Sequence, residues 1–170
     1  QLIDTQYGAQ ARRALLEIYQ REKEWERAIQ AAHALQESGA GGRQKEIAQF
    51  YCELAQDELV HTHPDAAITL LEKALAADRK SVRATILLGD AQLAQGDTEL
   101  ALLTWRRVEH QSVPHVALVA QRLMDGYRAV GRAQEGVNLL KFYLAEASSI
   151  DLLEVVFKAV LELELSLIHI

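Results

Sequence analysis

A chain of 170 residues with 49% hydrophobic residues is long enough to bury a core as one domain. Its net charge of −6, with Lys and Arg scattered along the chain, excludes a nucleic-acid footprint. The single Cys52 excludes an internal disulfide and a four-cysteine metal site, and no run of roughly 18 apolar residues is present to insert directly into a membrane.

Ala, Leu, Gln, Glu and Arg dominate, bounded β-branched runs are absent, and an all-α fold follows. From residue 9 to 21, Ala11, Ala14, Leu15, Ile18 and Tyr19 recur at three- and four-residue spacing, which predicts the inward face of a first helix. After a turn at 22–24, helix 25–37 points Ala28, Ile29, Ala32 and Leu35 inward. Gly39, Gly41 and Gly42 then end that helix and make 38–42 the longest linker. Helix 46–60 carries Ile47, Phe50, Tyr51, Leu54 and Leu59 as its stripe. His61, Thr62 and His63 form a turn, and Pro64 opens helix 64–77, where its missing N–H costs nothing.

Residues 84–107 hold two short helices, 84–95 and 98–107, hinged at Gly96 and Asp97. Gly89 and Ala101 are small where the helices approach, and Leu88, Leu93 and Trp105 are large where a gap needs filling. A break at 112–114 precedes helix 115–130, the turn at Gly131 and helix 133–146. Ser148 and Ser149 cap a last helix from 150 to about 166, and no second helix follows it. The absence of an opening Met and the terminal S-L-I-H-I read as cut points, with 166–170 a non-native tail.

The period decides the fold class. Ala67 to Ala101 is 34 residues and Gly96 to Gly131 is 35, while Ala28 to Ala67 is 39 because of the glycine linker. Helical hairpins of that length, with Leu88-Gly89, Ala101 and Trp105 matching Leu54-Ala55, Ala67 and Leu71-Ala74, resemble tetratricopeptide repeats. The implied array is an α-solenoid of antiparallel hairpins over 1–165, with repeats near 9–42, 48–81, 82–115 and 117–149 and a partial one at 150–165.

No catalytic constellation appears. His61 and His63 lack the further ligands a metal site needs, and Cys52 has no adjacent base. The glycines of 38–42 lack the strand before and the Gly-Lys-Ser/Thr after that phosphate cradling requires. Glu22, Glu24 and Glu26 stand two apart, a spacing that separates side chains on a helix. In stacked hairpins the first helix of each unit lines the inner groove. Those positions hold Gln10, Arg13, Glu17 and Arg21, then Gln49, Cys52, Gln56 and Leu59. Arg83, Ile86, Asp90 and Leu93 follow, then Leu118, Gln121, Asp125 and Arg128. This mixed lining is either a solvated face or a groove for an extended or helical peptide. The Lys-Asn-Arg clamp for a C-terminal carboxylate is missing, since the one asparagine, Asn138, lies on a second helix.

The run R-A-L-L-E-I-Y-Q-R-E-K-E-W-E-R-A-I-Q-A-A, the string I-A-Q-F-Y-C-E-L-A at 47–55 and A-I-T-L-L-E-K-A-L-A-A-D-R-K-S-V-R-A resemble the middle of the bacterial lipopolysaccharide assembly protein B family. That resemblance extends over about residues 1–162. It implies a membrane-anchored cytoplasmic repeat array and a C-terminal four-cysteine rubredoxin-like domain that binds a metal, neither flank being in this sequence. It also implies a non-enzymatic adaptor that links the deacetylase of lipid A synthesis to an inner-membrane AAA+ protease. The competing expectation is a regulatory repeat region of a larger N-acetylglucosaminyl transferase. No cofactor is expected in this chain, and its partners are expected to be proteins, including a second copy bound through helix 150–167, whose apolar residues no later helix covers.

Overall fold

The computed structural model describes residues 2–39, 42–147 and 149–168, with side chains between residues 8 and 165. It is helical throughout: α1 (Leu2–Arg21), α2 (Trp25–Glu37), α3 (Gln44–Val60), α4 (Pro64–Ala77), α5 (Val82–Ala94) and α6 (Thr98–Arg106) are followed by a short α7 (Val108–Gln111). A 3-10 turn (Val113–Val116), α8 (Ala117–Ala129), α9 (Ala133–Glu146) and α10 (Ile150–Ile168) complete the chain. No strand occurs among the described residues. The break expected at 112–114 is therefore shorter than its sequence suggests, because Val108 and Val116 on either side are buried and draw the backbone into helical turns. Ser148, Ala40, Gly41 and the side chains of 166–170 lie outside the described residues; of the expected cap pair, Ser149 takes the role, its Oγ accepting from the Leu152 N–H at 3.4 Å.

Four helix ends share one geometry, whereas α4 and α9 end in extended residues, Asp78 and Ala147. Lys23, Thr62, Gly96 and Gly131 all have positive φ, between 58° and 96°. In each case the next residue donates its N–H back to a carbonyl five residues earlier: Glu24 to Tyr19, His63 to Glu58, Asp97 to Gln92, Arg132 to Tyr127. These are Schellman ends, which satisfy the last carbonyls of α1, α3, α5 and α8 and turn the chain into the next helix. Asp97 additionally accepts from the Leu100 N–H at 3.0 Å, capping α6.

The chain divides into two compact units, Gln1–Leu87 and Leu88–Ile170, and the division falls within α5. In the first, α1 packs on α2, α2 on α3 and α3 along α4. Leu16, Ala28, Ile29, Ala32, Leu35, Ile47 and Phe50 form its buried cluster. On α1 the inward face differs from the spacing-based expectation: Leu15 and Ile18 are 44% and 45% exposed, whereas Leu16 is 3% exposed. Ala28 and Ala32 of α2, in the same cluster and without larger side chains, leave room for a leucine at this point, so Leu16 sets the rotation of α1.

In the second unit α6 packs on α8, α8 on α9, and α10 on both α8 and α9. Gly89 and Ala101 are buried, and Trp105 fills the space Gly89 leaves: a Cβ on Gly89 would overlap the indole Nε1 and Cδ1 and lie 2.8 Å from Cε2. A Cβ on Gly136 would likewise sit 2.9 Å from Tyr127 Cβ. Leu88 is buried with them, but Leu93, expected as a gap filler, is 43% exposed, one residue beyond the buried Gln92 near the end of α5. No helix among the described residues is long and apolar enough to cross a membrane.

Candidate interaction surface

The groove positions expected from the repeat lie on α1, α3, α5 and α8. Gln10, Arg13, Glu17, Arg21, Gln49, Gln56, Leu93, Leu118, Gln121 and Asp125 are exposed, while Leu59, Arg83, Ile86, Asp90 and Arg128 are half-buried. Cys52 is the exception. It is fully buried, so it lines no groove. Burial pushes its thiol up to about 11, opposed by the Arg83 charge, reinforced by the Glu53 charge and opposed again by a hydrogen bond to Ser81. A small side chain at this place is enclosed by its neighbours, and its thiol is held protonated and unreactive.

Much of the polar lining is spent on the array itself. Arg83 on α5 reaches Glu53 at 2.6 Å and Gln56 at 2.8 Å, both on α3. Arg122 on α8 grips Asp90 on α5 through two bonds, 2.7 and 3.0 Å. Arg128, also on α8, pairs with Glu162 on α10 and with Asp125 at 2.9 Å. Opposite charges 30, 32 and 34 residues apart thus tie successive first helices together within each unit. Gln49 donates to Glu53 and Gln121 to Asp125, closing two more positions. Sequence spacing within single helices missed Glu53, Arg122 and Glu162; the signal was a charge complement one repeat away. Because these pairs are partly exposed, each contributes about 0–1 kcal/mol, and they fix orientation more than stability.

Two clefts open in the first unit. The smaller, about 180 Å³, is lined by Arg13, Leu16, Glu17, Gln20, Arg43 and Glu46. The larger, about 730 Å³, lies between the start of α2 and the C-terminal half of α3, and is lined by Lys23, Glu24, Trp25, Glu26, Arg27, Glu53, Leu54, Gln56, Asp57 and Val60. Trp25 is fixed there by stacking on Phe50, with centroids 5.9 Å apart. Of these residues only Gln56 was expected at a site. The others come from the interhelical turn and from the flank of α3, which a pattern drawn from first-helix positions does not sample.

His61 and His63 sit in the αL turn and bond to the Asp57 carbonyl at 2.8 Å and the Glu58 carboxylate at 2.9 Å. No group of three His, Cys, Asp or Glu residues among the described residues could hold a metal ion, and one cysteine cannot supply a four-cysteine site.

A tetratricopeptide-repeat profile matches residues 62–121, from α4 through the whole α5–α6 hairpin into the start of α8. Over 148 residues the chain is 34% identical to lipopolysaccharide assembly protein B of Escherichia coli K12, covering 87% of this chain. The chain is a tetratricopeptide-repeat array related to lipopolysaccharide assembly protein B. The Haemophilus influenzae protein of that name is 27% identical over 132 residues. This array spans 38% and 32% of the length of those two relatives. Among solved structures, MamA aligns with a TM-score of 0.55 at 15% identity over 89% of the array and 80% of that chain. The thermophilic tetratricopeptide protein TTC0263 of Thermus thermophilus aligns at 0.51 and 15%, over 90% and 81%. These two likenesses establish the fold of the array and carry no functional meaning.

Proposed function

We propose that this repeat array is a non-enzymatic protein-interaction scaffold acting in the control of lipopolysaccharide assembly. The 34% identity over 148 residues to lipopolysaccharide assembly protein B carries this reading. Its finer form is an adaptor on the cytoplasmic side of the inner membrane that brings the deacetylase of lipid A synthesis to an inner-membrane AAA+ protease. First helices braced by charge pairs suit that role, since a rigid face lowers the cost of ordering on binding. A pull-down by the full-length protein containing this array tests it: retention of both the deacetylase and the protease is expected, and retention of neither overturns the adaptor role.

A second copy of the chain is a further proposed partner, through α10. Leu153 and Phe157 on this helix are 53% and 62% exposed, although Ala120 and Met124, 33 residues earlier on α8, are fully buried. The occupant that fits is α1 of another copy, which exposes Leu15 and Ile18. Arg12, Arg13 and Arg21 outnumber Asp4 and Glu17 on α1, and Asp151, Glu154, Glu162 and Glu164 outnumber Lys158 on α10, where Glu154 is paired with Lys158 and Glu162 with Arg128. Sedimentation of the chain at about tens of micromolar should show association that Phe157→Glu abolishes; a strict monomer contradicts it.

A further inference from the structure

We propose that the larger cleft of the first unit binds an extended protein segment that places an apolar side chain beside a lysine or arginine. This rests on the scaffold reading and adds the chemistry of one bound segment.

The cleft, about 730 Å³, has room for several side chains of a peptide. Trp25 and Leu54 give it an apolar wall, and Val60, 73% exposed at its edge, extends that wall toward solvent. Trp25 is held by stacking on buried Phe50 and offers a rigid aromatic surface at little entropic cost.

The charges select the partner. Arg27 is engaged by Glu24 at 2.7 Å and lies over the Tyr19 ring, and Glu53 is engaged by Arg83 at 2.6 Å. Among the described residues, Glu26 and Asp57 carry no ion pair or side-chain hydrogen bond, and Lys23 is the one lining cation left against them. The remaining balance is negative, next to an apolar wall that strengthens any pairing made there. A cationic side chain is favoured and an acidic one is repelled. Glu24 caps α2 without a side-chain hydrogen bond, which leaves first-turn N–H groups of α2 without a side-chain acceptor at residues that line the cleft. A backbone carbonyl of an extended segment suits them, because Glu24 and Glu26 already supply the negative charge that the helix start favours.

The test is a titration of the 170-residue chain with two synthetic probes, acetyl-Leu-Lys-Leu-Arg-Leu-amide and its counterpart with glutamate at both charged positions. The readout is the indole N–H resonances of Trp25 and Trp105, of which only Trp25 borders the cleft while Trp105 is fully buried. The basic peptide is expected to shift the Trp25 resonance saturably and leave Trp105 unmoved, with the acidic peptide silent. The double variant Glu26→Lys/Asp57→Lys should weaken the basic peptide at least about tenfold, the size of one lost charge-assisted contact. Both side chains are exposed, and an unchanged Trp105 resonance in the variant certifies its fold. Equal effects of the two peptides, or no movement of Trp25, overturn the proposal. If Trp25 stays still while the full-length protein retains the deacetylase and the protease, the cleft assignment fails and the scaffold reading stands. If neither partner is retained either, both fail.

Discussion

Trp105 occupies the volume that Gly89 leaves open, and this contact makes residue 89 intolerant of an added methyl group. The buried indole cannot swing away, so Gly89→Ala should cost about 1–3 kcal/mol by overpacking, read as a lower midpoint in urea. The opposite holds at Thr62, a β-branched residue in the left-handed region, φ 62°. Thr62→Gly should stabilise by about 1 kcal/mol, and a fall in thermal midpoint would contradict the strain. Cys52 gives a pH signature. Its folded pKa, about 11, lies above the ordinary thiol value of 9.0, so the unfolded chain releases the thiol proton first. The contribution is complete below pH 9 and is lost as pH rises through about 11. Denaturation from about pH 8 to about pH 11 should therefore show wild-type stability falling by roughly 1–3 kcal/mol more than that of Cys52→Ser.

At the scale of elements, helix existence and the turns were readable from glycine, proline and the apolar period. Gly96 and Gly131 sit where the chain needs positive φ, whereas Lys23 and Thr62 do the same work without announcing it in their chemistry. The rotation of α1 was not readable. Its apolar residues make two overlapping stripes, and only the fully buried alanines of α2 select the one containing Leu16. The candidate surface was legible as a set of positions and illegible as chemistry, because Arg83, Asp90 and Arg128 find their partners one repeat away. A double-mutant cycle on Asp90 and Arg122 should give a coupling of about 0.2–1 kcal/mol. A value near zero would mean that the bidentate pair does not brace the helices.

For the whole molecule, the likeness to lipopolysaccharide assembly protein B over 87% of the chain and the two braced helical units converge on a binding array. The positions expected to line the groove are exposed or half-buried on α1, α3, α5 and α8 except for Cys52, and a separate cleft opens around Trp25, Glu26 and Asp57. The most direct measurement is a calorimetric titration of the 170-residue chain with the purified deacetylase and, separately, with the soluble part of the protease. Saturable binding of at least one, weaker than that of the full-length protein, is the predicted result. Heats indistinguishable from dilution for both, at concentrations where the full-length protein binds, would contradict the claim that this array carries the interaction.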